Sequence, residues 1–207
     1  MRTAMMLTLA FLFGLLTLSV CQGQQLPPEW TFDDEDDIMN WGGMNNLEPL
    51  ELDEVQDKKG ETRTILIMVS TGSDPYVFPD GTWNGFIGDI DPFDGGEYDT
   101  IYIGVRANVT SVWQIYYISD EDGTFTEAQH QNFDVSASDD FEDLEFVMVE
   151  GGWQDRMITG FRIDPGTIQG VEAEIDYLSL RGLPEDVAPK AVEYMGKLAV
   201  AWGDIKR

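Results

Sequence analysis

An antiparallel, all-β sandwich of the jelly-roll kind, ending in a short and partly helical tail, is the fold class that this 207-residue sequence predicts. Three observations carry the expectation. Short apolar or alternating runs recur from Trp30 to Gly182, and turn-forming segments separate them: SDPY, PDG, DPFDGGEYD, DEDG, SASDD, EGG and DPG. No stretch of that span has the apolar spacing of an amphipathic helix. Many short strands joined by Gly, Pro and Asp turns pack most simply as two antiparallel sheets.

Residues 1–23 read as a signal peptide. Arg2 supplies a positive start, Met5–Val20 is an apolar run, and the small residues around Cys21-Gln22-Gly23 suit cleavage after Gly23. Lipidation of Cys21 is the competing reading, although Val20 is a poor neighbour for it, and a retained anchor is a third. Cleavage predicts a protein exported to the periplasm or the extracellular medium, with no membrane span and no cysteine left for disulfide, thiol or cysteine–zinc chemistry. It leaves 39 acids against 11 bases, a formal charge of −28. Such a chain repels nucleic acid and anionic membranes and attracts divalent cations. Disorder does not follow from the acidity, because 43% hydrophobic and 12% aromatic residues are ample for a core.

Residues 24–29 form a polar lead-in, and residues 30–182 the sandwich. Ile65–Val69 is continuously apolar, as in a strand buried on both faces. Thr100–Ala107 alternates, with Ile101, Ile103, Val105 and Ala107 on the core side. In Val112–Ile118 the core set is Trp113, Ile115 and Tyr117. Asn132–Val135, Leu144–Val149, Ile158–Ile163 and Val171–Leu180 continue the series. In the last of these, period two puts Glu172, Glu174 and Asp176 on one face with Leu178 and Leu180, so Asp176 sits where solvent gives way to core and needs a partner. Residues 183–207 form a tail with four basic residues and Trp202 as a candidate docking anchor.

Two constellations are candidates for function. Tyr102 and Arg106 fall opposite the core side of their strand, and Gln114 and Tyr116 opposite the core side of theirs. Placed on one sheet face, two tyrosines, a guanidinium and an amide make a platform for sugar, with rings to stack on pyranose faces and polar groups to read hydroxyls. Trp83 and Trp153 lie in loops, where each indole either caps a groove or tucks inward. The second constellation is the acidic run Asp33–Asp37. Clustered carboxylates suit calcium, which takes hard oxygen ligands. With the first and last strands side by side, Asp33 or Asp34 meets Asp176 around a structural calcium ion.

The loops Asp89–Glu97 and Asp120–Gly123 with Glu127 read as polar turns, and His130 as a surface residue. Asn108-Val109-Thr110 fits a glycosylation pattern, relevant only in a eukaryotic secretory host. No nucleophile-elbow, zincin or phosphate-loop motif occurs. The expectation is therefore a chain without catalytic residues, although two unmarked carboxylates among 39 acids would suffice for a glycosidase.

The order W-x-F-D-D, STGSDPYV, IYIGVRAN, QIYY, ITGFRIDPG, EIDYLSL resembles secreted bacterial jelly-roll domains of the galactose-binding-like, carbohydrate-binding-module type. The resemblance covers Trp30–Leu180. It implies a non-catalytic sandwich that binds a polysaccharide or glycan, alongside a separate carbohydrate-active enzyme or a cell-surface component. It also implies a calcium role for Asp33 and Asp176. The competing readings are a structural or adhesive surface domain that contacts proteins and, further off, a glycoside hydrolase or lyase.

Overall fold

In the computed structural model, which describes residues 26–33, 35–39, 41–56, 60–79 and 90–184, the predicted sandwich is present. The signal peptide, the tail beyond residue 184, Asp34 and Trp83 lie outside the described residues. In chain order the strands are β1 (Glu29–Trp30), β2 (Gly42–Asn45), β3 (Glu51–Gln56), β4 (Thr62–Val69), β5 (Tyr76–Phe78), β6 (Phe93–Asp94), β7 (Thr100–Ala107), β8 (Ser111–Ser119), β9 (His130–Val135), β10 (Glu142–Val147), β11 (Met157–Asp164) and β12 (Glu172–Ser179). One sheet runs β10-β7-β12-β4-β3, with β1 added to β12; the other runs β2-β5-β11-β8-β9, with β6 added to β11. Among the described residues no helix is long and apolar enough to cross a membrane.

Alternation explains the interior. Ile101, Ile103, Val105 and Ala107 of β7 share one buried cluster with Trp113, Ile115 and Tyr117 of β8, as the sequence predicts. Trp30 and Phe32 close one end by meeting Trp41 edge-on, at ring-centroid distances of 5.5 and 5.6 Å. Phe32 adopts a left-handed backbone (φ 60°), uncommon without glycine. Asp37 holds it there by accepting the backbone N–H of Thr31 (3.1 Å) and of Phe32 (2.7 Å). One member of the acidic run, from within the single-turn helix α1 (Asp36–Met39), thus ties down the backbone that leads into it.

Strand number and register depart from expectation: besides β3, the short strands β2, β5 and β6 fall outside the predicted runs, β5 beginning at the end of the expected turn SDPY and β6 lying within DPFDGGEYD. β3, ELDEVQ, was not among the predicted strands, because acids hide its period-two pattern; it is an edge strand, where charge discourages pairing with another chain. In β12 a bulge at Asp176 breaks the alternation, since Ile175 pairs with Val105 but Tyr177 with Gly104. Ala173, Ile175, Leu178 and Leu180 point into the core, while Asp176 and Tyr177 both lie on the outer face. Asp176 therefore does not share a face with Leu178 and Leu180. Tyr177 crosses β7 over Gly104 to donate its hydroxyl to Asp143 of β10 (3.0 Å). A methyl group on Gly104 would lie 2.5 Å from that ring.

Candidate functional site

The connection from β7 to β8, residues 108–110, carries the chain from one sheet to the other. The expected platform is therefore split. Tyr102 and Arg106 lie on the outer face of the β7 sheet, and Gln114 and Tyr116 on the outer face of the β8 sheet. Arg106 is already committed there: its Nε donates to Glu174 at 2.8 Å, and its guanidinium lies 4.8 Å from the centre of the Phe141 ring. Trp153 tucks inward. It is fully buried, donates its indole N–H to the carbonyl of Tyr98 (3.0 Å) and meets Tyr117 edge-on.

The face that keeps Gln114 and Tyr116 supplies its own guanidinium and second tyrosine. Phe161 and Ile163 of β11 point inward, which turns Arg162 and Asp164 outward; Val77 of β5 points inward, which turns Tyr76 outward. Arg162 lies opposite Tyr116, and Tyr116 opposite His130, in one row across β11, β8 and β9. The Arg162 guanidinium is 4.3 Å from the Tyr76 ring centre and 4.2 Å from that of Tyr116. The far face of Tyr116 stacks on His130, with centroids 4.8 Å apart and planes 19° from parallel.

Asp164 fixes this row from below. It is 1% exposed and receives a two-pronged bond from Arg162, with Nε to Oδ1 at 2.6 Å and Nη2 to Oδ2. Burial pushes its carboxyl up to about 6, against the opposing pull of Arg162. Asp74 approaches Arg162 at 3.8 Å. The Tyr116 hydroxyl reaches Glu127 (3.2 Å), and burial, then the Glu127 charge, pushes that phenol up to about 12. In the next row Gln114 donates its side-chain amide to Asn132 (2.8 Å). Of the residues that the sequence offers as candidates, Gln114 and Tyr116 lie on this face; Tyr76, Arg162, His130 and Asn132, which it does not offer, lie there with them. Strict alternation around Phe161 and Ile163 marked Arg162 as outward, but its partners come from strands distant in sequence.

The expected calcium site can be tested against its donors. β1 does pair with β12, and Asp33 and Asp176 do line one cavity of about 180 Å³ with Thr31, Glu61 and Arg63. The Asp176 carboxylate, however, accepts a hydrogen bond from the Arg63 guanidinium, itself a cation. Among the described residues no three acidic, histidine or cysteine side chains converge on a point that could hold a metal ion. The donors described here do not fit calcium, and Asp34 lies outside them.

No family model matches the chain, and no curated protein is similar to it. Solved structures do share its fold. A segment of an exo-β-agarase superposes with a TM-score of 0.56 at 10% identity, over 79% of this chain and 26% of the agarase. The chain thus spans about a quarter of that enzyme's length. A variant of a family 29 carbohydrate-binding module covers 66% of this chain and 79% of its own, at TM-score 0.41 and 14% identity. N-terminal endo-1,4-β-D-xylanase modules of Clostridium thermocellum, complexed with xylohexaose, cover 74% of this chain and 28% of their own, at TM-score 0.46 and 14% identity. The architecture is the jelly-roll β-sandwich expected from the sequence, and carbohydrate-binding modules are among the structures similar to it.

Proposed function

We propose that this chain is an exported, non-catalytic glycan-binding domain, and that its binding surface is the outer face of β5, β11, β8 and β9. The observation that carries the reading is the locked row Tyr76–Arg162–Tyr116–His130 beside the amide pair Gln114–Asn132. Tyr116 has both ring faces covered, so its part is rigidity and not stacking on sugar. Tyr76 is half-buried against the Arg162 guanidinium and braces it from the other side. The bond uses the Gln114 amide N–H and the Asn132 carbonyl, which leaves the Gln114 carbonyl and the Asn132 amino group as acceptor and donor for sugar hydroxyls. Because these groups are already fixed, binding costs little side-chain entropy.

Two points support a binding role over hydrolysis. Asp164, whose carboxyl burial pushes up to about 6, is sealed beneath Arg162 and cannot reach a glycosidic oxygen. The nearby acids, Glu127 and Asp74, are engaged with Tyr116 and Arg162. The test is calorimetric titration with soluble neutral and acidic polysaccharides. Asn132→Ala and Gln114→Ala should each weaken binding roughly three- to tenfold, the equivalent of one hydrogen bond. Arg106→Ala and Tyr102→Ala, on the opposite sheet, should leave it unchanged. The reverse pattern would move the site to the other face, and absence of binding across the panel would end the glycan reading.

A further inference from the structure

β9 ends one sheet and β10 ends the other. The two edges meet across the side of the sandwich, where the rings of Phe133 and Phe146 lie with centroids 3.9 Å apart. β9 carries Asn132 of the proposed site, and its pairing with β8 sets that residue opposite Gln114. Alternation turns Gln131, Phe133 and Val135 the other way. Gln131 lies opposite Ile115 and Phe133 opposite Trp113, both core residues. Phe133 and Val135 fix the second half of the strand in the core. In the first half, between His130 and Asn132, the inward residue is the polar Gln131.

Gln131 anchors that half with its amide. Its Nε2 donates to the Val147 carbonyl (2.7 Å), and its Oε1 accepts the backbone N–H of Val149 (2.8 Å) and of Glu150 (3.1 Å). Met148 between them donates its N–H toward the β7 side, to the carbonyl of Asp99 (2.7 Å). Val147 and Val149 therefore present their backbone groups to the open edge of β10. The Gln131 side chain takes the place there of a peptide from a neighbouring strand, with one donor and one acceptor in one plane. We propose that Gln131 is a positioning residue: by clipping β9 to β10 it holds Asn132 opposite Gln114, so that the amide pair is formed before a sugar arrives. The inference rests on the glycan reading of that face and adds a residue that the sugar itself does not touch.

Gln131→Met keeps the length of the side chain and removes all three bonds. The probes are soluble xylan, glucomannan, laminarin and alginate, and the one that the wild type binds most tightly is titrated into the variants. Gln131→Met should weaken its binding by roughly two- to fivefold, a part of what one hydrogen bond contributes. Because the effect passes through Asn132, most of it should vanish when Asn132→Ala is already present. Equal losses in the two backgrounds, or no loss in either, would overturn the proposal. Amide exchange at Val149 and Glu150 should quicken in Gln131→Met; unchanged exchange would show that the clip does not hold β10. Gln131→Glu keeps the acceptor for those two amides and guards against misfolding of the methionine variant. It should lose less affinity than Gln131→Met, and a loss as large would count against positioning. Gly104→Ala, a strain on the opposite sheet, should leave affinity unchanged; a loss there equal to that of Gln131→Met would reduce the effect to general weakening of the fold. A wild type that binds none of the four polysaccharides ends the glycan reading and this inference with it, whereas a wild type that binds beside an unaffected Gln131→Met ends the inference alone.

Discussion

Arg162→Met tests the arrangement that builds the proposed site. The substitution retains an apolar stem between Tyr76 and Tyr116 but removes the charge, two cation–π contacts and both bonds to Asp164. It leaves a carboxylate 1% exposed without its counter-ion. Removing one partner of a buried pair costs about 3–5 kcal/mol. For a chain of this length that lowers the melting temperature by roughly 6–20 °C. The pH dependence separates this cause from lost packing. With its folded pKa raised to about 6 from the ordinary 3.8, Asp164 holds its proton more tightly folded than unfolded. Its contribution to stability therefore improves as pH falls through 6 and levels off below 3.8. At pH 5 the group is mostly neutral, and loss of Arg162 should then cost much less than at pH 8. Adding Asp164→Leu should recover most of the loss at pH 8, since an apolar pair leaves no stranded charge. Chemical denaturation of the wild type, both single variants and the double variant at the two pH values supplies the cycle. A loss below about 1 kcal/mol at pH 8, or one equal at both pH values, would refute the reasoning.

Three further outcomes are expected. Gly104→Ala places a methyl group 2.5 Å from the Tyr177 ring, which is pinned by Asp143, and should cost about 1–3 kcal/mol of overpacking in a denaturant titration; no loss would mean that Tyr177 does not cross β7 there. Asp37→Ala strips two backbone amides of their acceptor at a left-handed Phe32 and should cost about 1–2 kcal/mol, with added mobility visible as faster amide exchange at Thr31 and Phe32. Trp153→Phe loses the bond to Tyr98 and should lower stability by about 1 kcal/mol while glycan affinity stays constant; an affinity change would return Trp153 to the binding surface.

The core was legible because alternation is a local property. Ile101 to Ala107 and Trp113 to Tyr117 announce their inward faces within their own strands, and no distant residue alters that. What could not be read was which outward faces meet. A three-residue link such as residues 108–110 usually makes a hairpin, which would set Tyr102 beside Tyr116; here it crosses between sheets. The chemistry expected of one face, a guanidinium with tyrosines and an amide, was nevertheless present, assembled with Arg162 and Tyr76 in place of Arg106 and Tyr102. The register error at Asp176 has the same origin. The bulge depends on Tyr177 lying over Gly104, more than seventy residues away, and period-two counting cannot register it.

The position of β12 governs how this protein can assemble. It lies between β7 and β4 in the middle of its sheet, yet it is the last of the described strands in chain order. Its partners wait for it: β4 precedes it by about a hundred residues and β1 by about a hundred and fifty. Closing such distant pairings is slow, because loop entropy is spent before any contact repays it. While residues 172–179 are still on the ribosome, β7 and β4 have no central neighbour, and the sheet cannot form. That sheet is therefore completed only when residues 172–179 arrive to bridge β7 and β4.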